Sequence, residues 1–167
     1  MLKHCFQIIV FCFICCLFSC NDDETALDSD VPIIKELDSY LFNYEELSSF
    51  NWIKMLNDVS IVNSEIDLIE YLGDDFLSHY PMYKDVDFSQ YSLLLFCVVI
   101  THEYKNKGIQ IILDDTQMPY NYKIKINYLL INTEYESYKC ELIGLVVNKI
   151  DSGATTKLVT TMSYKKT

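Results

Sequence analysis

Residues 120–130 alternate more cleanly than any other stretch. Tyr120, Tyr122, Ile124, Ile126 and Tyr128 are interleaved with Asn121, Lys123, Lys125 and Asn127. A period of two belongs to a strand with one face buried and one face wet. Residues 92–100 are instead apolar almost throughout, and residues 139–150 are apolar on both sides from 142 to 147. Such runs suit strands covered on both faces. Further strands are predicted at residues 59–63, 108–113 and 156–164, with polar turns at 103–107, 114–119 and 151–154. Asp87 is spaced to accept a backbone N–H from residue 89 or 90, closing an Asx-type turn that feeds the 92–100 strand.

Helical spacing is found twice. Ile66, Ile69 and Leu72 recur at threes behind Ser64, with Asp67 three residues after the serine and Gly73 just beyond. This predicts a short helix over 64–72, capped by Ser64 and stopped by Gly73. Within residues 31–57, the spacing of Leu37, Leu41, Tyr44 and Leu47 allows an amphipathic helix. The lone Trp52 nearby reads as a lid on the core. Residues 74–84, broken by Pro81, read as irregular. The order of elements predicts an α+β, β-dominated fold: an antiparallel sheet curled into a small barrel or sandwich, with one short packed helix.

The chain opens differently. Residues 5–18 are apolar apart from Gln7, follow a short start carrying Lys3, and end beside the small residue Ser19. That is the order of a secretory signal, and the run is shorter than the roughly 20 residues a spanning helix needs. Leu17-Phe18-Ser19-Cys20 resembles the lipobox of lipoprotein signal peptidase substrates. Asn21-Asp22-Asp23-Glu24 resembles the export signal of Bacteroidetes surface lipoproteins. These resemblances imply a signal peptide at 1–19, acyl chains of the palmitate type on the sulfur of Cys20, and a lipid-anchored place on the outer membrane, facing the cell exterior. An acidic tether is expected at 20–30 and a single β-rich domain at 31–167. The stretches "IVNSEIDLIEYL" and "VDFSQYSLLLF" resemble a group of small Bacteroidetes surface lipoproteins. They are also distantly similar to the C-terminal domain of the B-type subunits of protease complexes. That likeness implies a cap, a turn and a strand, and assigns no catalytic residue. Thr101-His102-Glu103-Tyr104 stands where those B-type proteins have a glycine-rich turn.

Composition narrows the function. The 167 residues carry a formal charge of −11, and every cation is lysine. An acidic chain without arginine repels phosphate backbones and lacks the bidentate fork used on bases, so nucleic acid is not an expected partner. No glycine-rich phosphate loop is present. Of seven cysteines, Cys5, Cys12, Cys15 and Cys16 lie in the leader. Cys97 and Cys140 remain in apolar runs, and two readings stand: buried thiols, or one disulfide allowed by an oxidising exterior.

Candidate chemistry is sparse. His79 and His102 are the two histidines beyond the leader, too few for a histidine zinc site. No nucleophile elbow supports a Ser-His-Asp triad. Asp74-Asp75, Asp85-x-Asp87 and Asp114-Asp115 place hard oxygens in loops. Asp85 and Asp87 are the weak calcium candidates, although no EF-hand pattern surrounds them. No cofactor is expected. The reading that results is a non-enzymatic cell-envelope lipoprotein, a surface-exposed binding or accessory module for a protein or glycan partner. Its alternatives are a regulator or subunit of an envelope protease and a small hydrolase, the last expected to hold His79 or His102 beside a carboxylate.

Overall fold

A computed structural model describes residues 29–43, 55–56, 58–116, 118–131 and 138–164. The named strands are β1 (Ser29–Val31), β2 (Ile33–Glu36), β3 (Tyr40–Asn43), β4 (Ser60–Val62), β5 (Tyr91–Ile100), β6 (Tyr104–Asp114), β7 (Asn121–Leu130), β8 (Lys139–Asn148) and β9 (Thr155–Tyr164). Two short helices, α1 (Glu65–Leu72) and α2 (Asp74–His79), lie between β4 and β5, followed by a 3-10 turn at Pro81–Tyr83. One sheet has the order β1-β6-β7-β9. The other has the order β2-β8-β5-β4, with β3 also on β8.

The two kinds of strand pattern have a common cause. β5 and β8 pair antiparallel from Tyr91↔Asn148 to Ile100↔Lys139. Alternate residues of that pair enter two different cores. Leu94, Phe96, Ile143 and Leu145 pack with Ile111, Tyr122, Ile124 and Ile126 between the sheets. Leu93, Leu95, Cys97 and Leu142 pack with Leu68, Leu72, Phe76 and Tyr83 beneath the helices. The β5–β8 sheet is therefore the middle of three layers, and its strands are apolar throughout. β7 lies in the outer sheet. Its Tyr122, Ile124, Ile126 and Tyr128 are buried, whereas Lys123, Lys125 and Asn127 are not.

The α1 cap forms as expected. The Asp67 N–H donates to Ser64 Oγ at 3.1 Å, and Asp67 Oδ2 accepts the Asn63 N–H at 3.4 Å. Gly73 ends the helix at φ 77°, in the left-handed region glycine favours, with its N–H on the Ile69 carbonyl. Of the expected stripe, Leu72 is buried and Ile69 packs half-buried against the core, but Ile66 is 79% exposed and Leu68 is buried in its stead. Spacing by threes drifts around a helix, and here the sheet contacts the side carrying 68 and 72.

Other expectations are corrected. Residues 74–79 form a helix, because Phe76 and Leu77 bury beneath it and Pro81 acts only after its end. Leu37 and Leu41 are not helical: Leu37 donates its N–H to Gly144 O, and Leu41 lies in β3, paired with β8. Tyr44, Leu47 and Trp52 lie outside the described residues, as do residues 1–28. Ser29 and Asp30, expected in the tether, belong to β1. β6 starts at Tyr104, with a register shift between Asn106 and Gly108. Not every pairing is antiparallel: β9 runs parallel to β7 from Asn121↔Thr155 to Leu130↔Tyr164. Parallel neighbours need a crossover, and β8, lying in the other sheet, provides it. The two sheets face each other, compatible with a sandwich, and no closed barrel is found among the described residues.

Polar groups tie the edges of the layers. Ser92 is fully buried. Its hydroxyl donates to Asn63 Oδ1 at 2.5 Å and accepts the Ile150 N–H at 2.8 Å. Asn63 Nδ2 donates to the Ile150 carbonyl at 3.1 Å, closing a three-residue ring of bonds. Thr156 Oγ1 donates to the Val59 carbonyl at 2.7 Å, joining β9 to the chain entering β4. No helix of the described residues is long and apolar enough to cross a membrane.

Candidate functional site

The space between the sheets opens at the end where β5 stops, β6 begins, β7 stops and β8 begins. Odd-numbered β8 residues face this space, so Glu141 points in as Ile143 does. Even-numbered β7 residues face it from the other sheet, which brings in Tyr128. The Tyr128 hydroxyl donates to Glu141 Oε2 at 3.0 Å, and Tyr128 is only 2% exposed. The apolar core thus ends in a charged hydrogen bond. Above it lies a cleft of about 270 Å³, lined by Ile100, His102, Tyr104, Tyr128, Lys139 and Glu141, among others. The rings of Tyr104 and Tyr128 are 5.9 Å apart, and those of His102 and Tyr104 are 6.0 Å apart.

The electrostatics set what these groups can do. Burial, then the negative charge and hydrogen bond of Glu141, pushes the Tyr128 phenol well above its ordinary value. Tyr128 is therefore a neutral donor and not a base. His102 Nδ1 lies 2.7 Å from Thr101 Oγ1 and 3.4 Å from the Tyr104 hydroxyl. The cleft is lined by aromatic rings, two glutamates (Glu103 and Glu141), an imidazole and an ammonium group. Its volume sits just below the roughly 300 Å³ at which small-molecule pockets begin, so it admits one small polar unit.

Of the residues singled out from the sequence, His102 lines this cleft and the others disperse. His79 ends α2 in the helical layer, its Nδ1 at 2.8 Å from the Asp75 carbonyl. Asp87 closes the expected Asx turn, accepting from Ser89 N at 3.0 Å, Ser89 Oγ at 2.6 Å and Gln90 Nε2 at 2.9 Å. The hydrogen bonds from Ser89 hold its carboxyl below the ordinary range. Asp114 does the same with Thr116. Asp85 is exposed, and no three His, Cys, Asp or Glu residues converge on a metal-sized site among the described residues.

Cys97 and Cys140 are buried free thiols, so the disulfide left open by the sequence is not made. The register explains this. Cys97 is opposite Leu142 and Cys140 is opposite Val99, making them diagonal neighbours. Diagonal positions lie about 7–8 Å apart, outside the usual Cα window of roughly 4.4–6.8 Å for a bridge. Cys20 lies outside the described residues.

Tyr128, Lys139 and Glu141 had no signal in the sequence. Tyr128 looked like any inward residue of an alternating strand, and Glu141 stood among the polar residues just before the 142–147 run, where nothing marks which face it takes. No family model, curated protein or solved structure matches this chain.

Proposed function

We propose that this chain is a non-enzymatic envelope lipoprotein: a β-sandwich module held outside the cell by acyl chains on Cys20, binding a polar partner through the Tyr128–Glu141 cleft. The observation that carries this reading is the order of greasy leader, Leu17-Phe18-Ser19-Cys20 and acidic stretch, which leads after a few residues into β1. Two acyl chains hold a protein stably, at about 0.8 kcal/mol per buried methylene. The cleft supports binding over chemistry. Of its two glutamates, Glu141 is engaged by Tyr128 and Glu103 is exposed, its Tyr128 phenol is held neutral, and its imidazole Nδ1 is within reach of two hydroxyls. A fixed mixture of donors, acceptors and ring edges suits a sugar unit or a polar peptide side chain.

The test joins metabolic labelling with a fatty-acid analogue to protease shaving of intact cells. The expected outcome is label on the wild type, none on Cys20→Ala, and removal of the wild-type domain by external protease. Label persisting on Cys20→Ala refutes the anchor, and a domain resistant to shaving refutes the outward placement.

A further inference from the structure

The outer face of the β6–β7 sheet carries charge opposite to that of the whole chain. Lys123 and Lys125 alternate with the buried Ile124 and Ile126, so both point away from the core. Lys157 is in parallel register with Lys123, and Lys105 is in register with Leu129, one position from the buried Tyr128. All four lysines therefore share one face. Lys123 and Lys157 sit side by side at the sheet spacing of about 4.8 Å, and Lys125 is roughly 6.6 Å further along. Like charges placed side by side on a sheet oppose folding. A chain with 24 acidic and 13 basic residues has nonetheless grouped cations here. Two acids share this face with the four lysines: Asp30, which accepts from Gln110 Nε2 at 2.7 Å, and Asp114, in register with Asn121 at its end and already accepting from Thr116. The opposite, helical layer carries exposed Glu65, Glu70, Asp74 and Asp75. Charge is thus divided across the thickness of the body.

The chain outside the described residues ends at the same place. β1 is the edge strand of this lysine-bearing sheet, and Cys20 lies nine residues before Ser29. Nine residues reach at most about 32 Å, so a lipid on Cys20 keeps the domain within one body length of the membrane. We propose that the lysine face of the β6–β7 sheet docks on anionic lipid headgroups, turning the acidic helical layer outward. This rests on the lipoprotein reading above. An acidic layer repelled by the headgroups and a basic face attracted to them select the same orientation. Each lysine near an anionic surface strengthens attachment about fivefold, an effect confined to roughly a Debye length.

The test uses the full acylated protein in vesicles of phosphatidylcholine alone or mixed with phosphatidylglycerol, with lysine acetylation read by mass spectrometry. Flotation with the neutral vesicles, together with the acyl mass on Cys20, checks the anchor independently of the face. On anionic vesicles, Lys105, Lys123, Lys125 and Lys157 are expected to be acetylated about tenfold more slowly than on neutral ones. Lys84, in the helical layer, is expected to be unchanged. The protection should vanish at about 1 M salt, where screening falls to roughly 3 Å. In the triple variant Lys123→Glu, Lys125→Glu, Lys157→Glu, the remaining Lys105 should lose its protection while flotation is kept. Equal acetylation on both vesicles overturns the proposal. So does protection that is already equal on neutral vesicles, which would instead put the acidic segment 21–28 or a second copy on the face.

Discussion

Gly144 sits where the middle sheet meets the helical layer, opposite Leu95 on β5. A Cβ there would lie 3.0 Å from Tyr83 Cε1 and 3.2 Å from Leu37 Cδ1. Tyr83 is fully buried, and Leu37 is fixed by its N–H bond to the Gly144 carbonyl at 2.9 Å, so neither can withdraw cheaply. Replacing the glycine with valine overfills the site, at an expected cost of about 1–3 kcal/mol. Thermal unfolding should show this as a loss of roughly 2–4 °C per kcal/mol. Gly153→Ala, which meets nothing within 4 Å, is the control and should leave the midpoint in place. Equal midpoints for Gly144→Val and wild type would contradict the packing described. Ser92 shows the same dependence in polar form, since its hydroxyl is the buried link between Asn63 and Ile150.

Among the elements, α1 offers the cleanest test of local coding. Its first turn depends on Ser64 Oγ accepting the Asp67 N–H. Ser64→Ala should cost about 1 kcal/mol, measurable as a shift in urea midpoint with unchanged slope; no shift would mean packing of Leu68 and Leu72 alone holds the helix. This cap, its glycine stop and the Asp87 turn were legible in the sequence because each is a contract between neighbours. So were β5, β7 and β8, whose patterns state directly whether one face or two are covered. The partners of strands were not legible. Nothing local in Thr155–Tyr164 says that it runs parallel to β7, or in Tyr40–Asn43 that β8 captures it from a helical spacing. The Tyr128–Glu141 pair was hidden for the same reason: its members are on strands of different sheets, and only stacking brings them together.

At the scale of the whole molecule, acid–base behaviour reports on both cores. Burial raises the Cys97 thiol from 9.0 to about 12 and the Cys140 thiol to about 11. Burial also lifts the Tyr83 and Tyr128 phenols above 10.0. All four folded values exceed the unfolded ones, so each neutral group's contribution is whole below about pH 9 and shrinks as pH rises through the folded values. The urea midpoint should therefore fall steadily between about pH 9 and pH 12, and a flat midpoint across that window would show the groups to be solvated. The route of the chain has a mechanical meaning as well. β1 and β2 are consecutive, yet β1 is stitched to β6 in one sheet and β2 to β8 in the other, with Pro32, which has no N–H to offer, at the passage. On the proposed lipid anchor at Cys20, tension reaching the body at Ser29 would load the three β1 pairs first. Once they parted, the pull would reach β8, inside the other sheet, so a force on the proposed anchor would have to rupture two seams in succession before the body came apart.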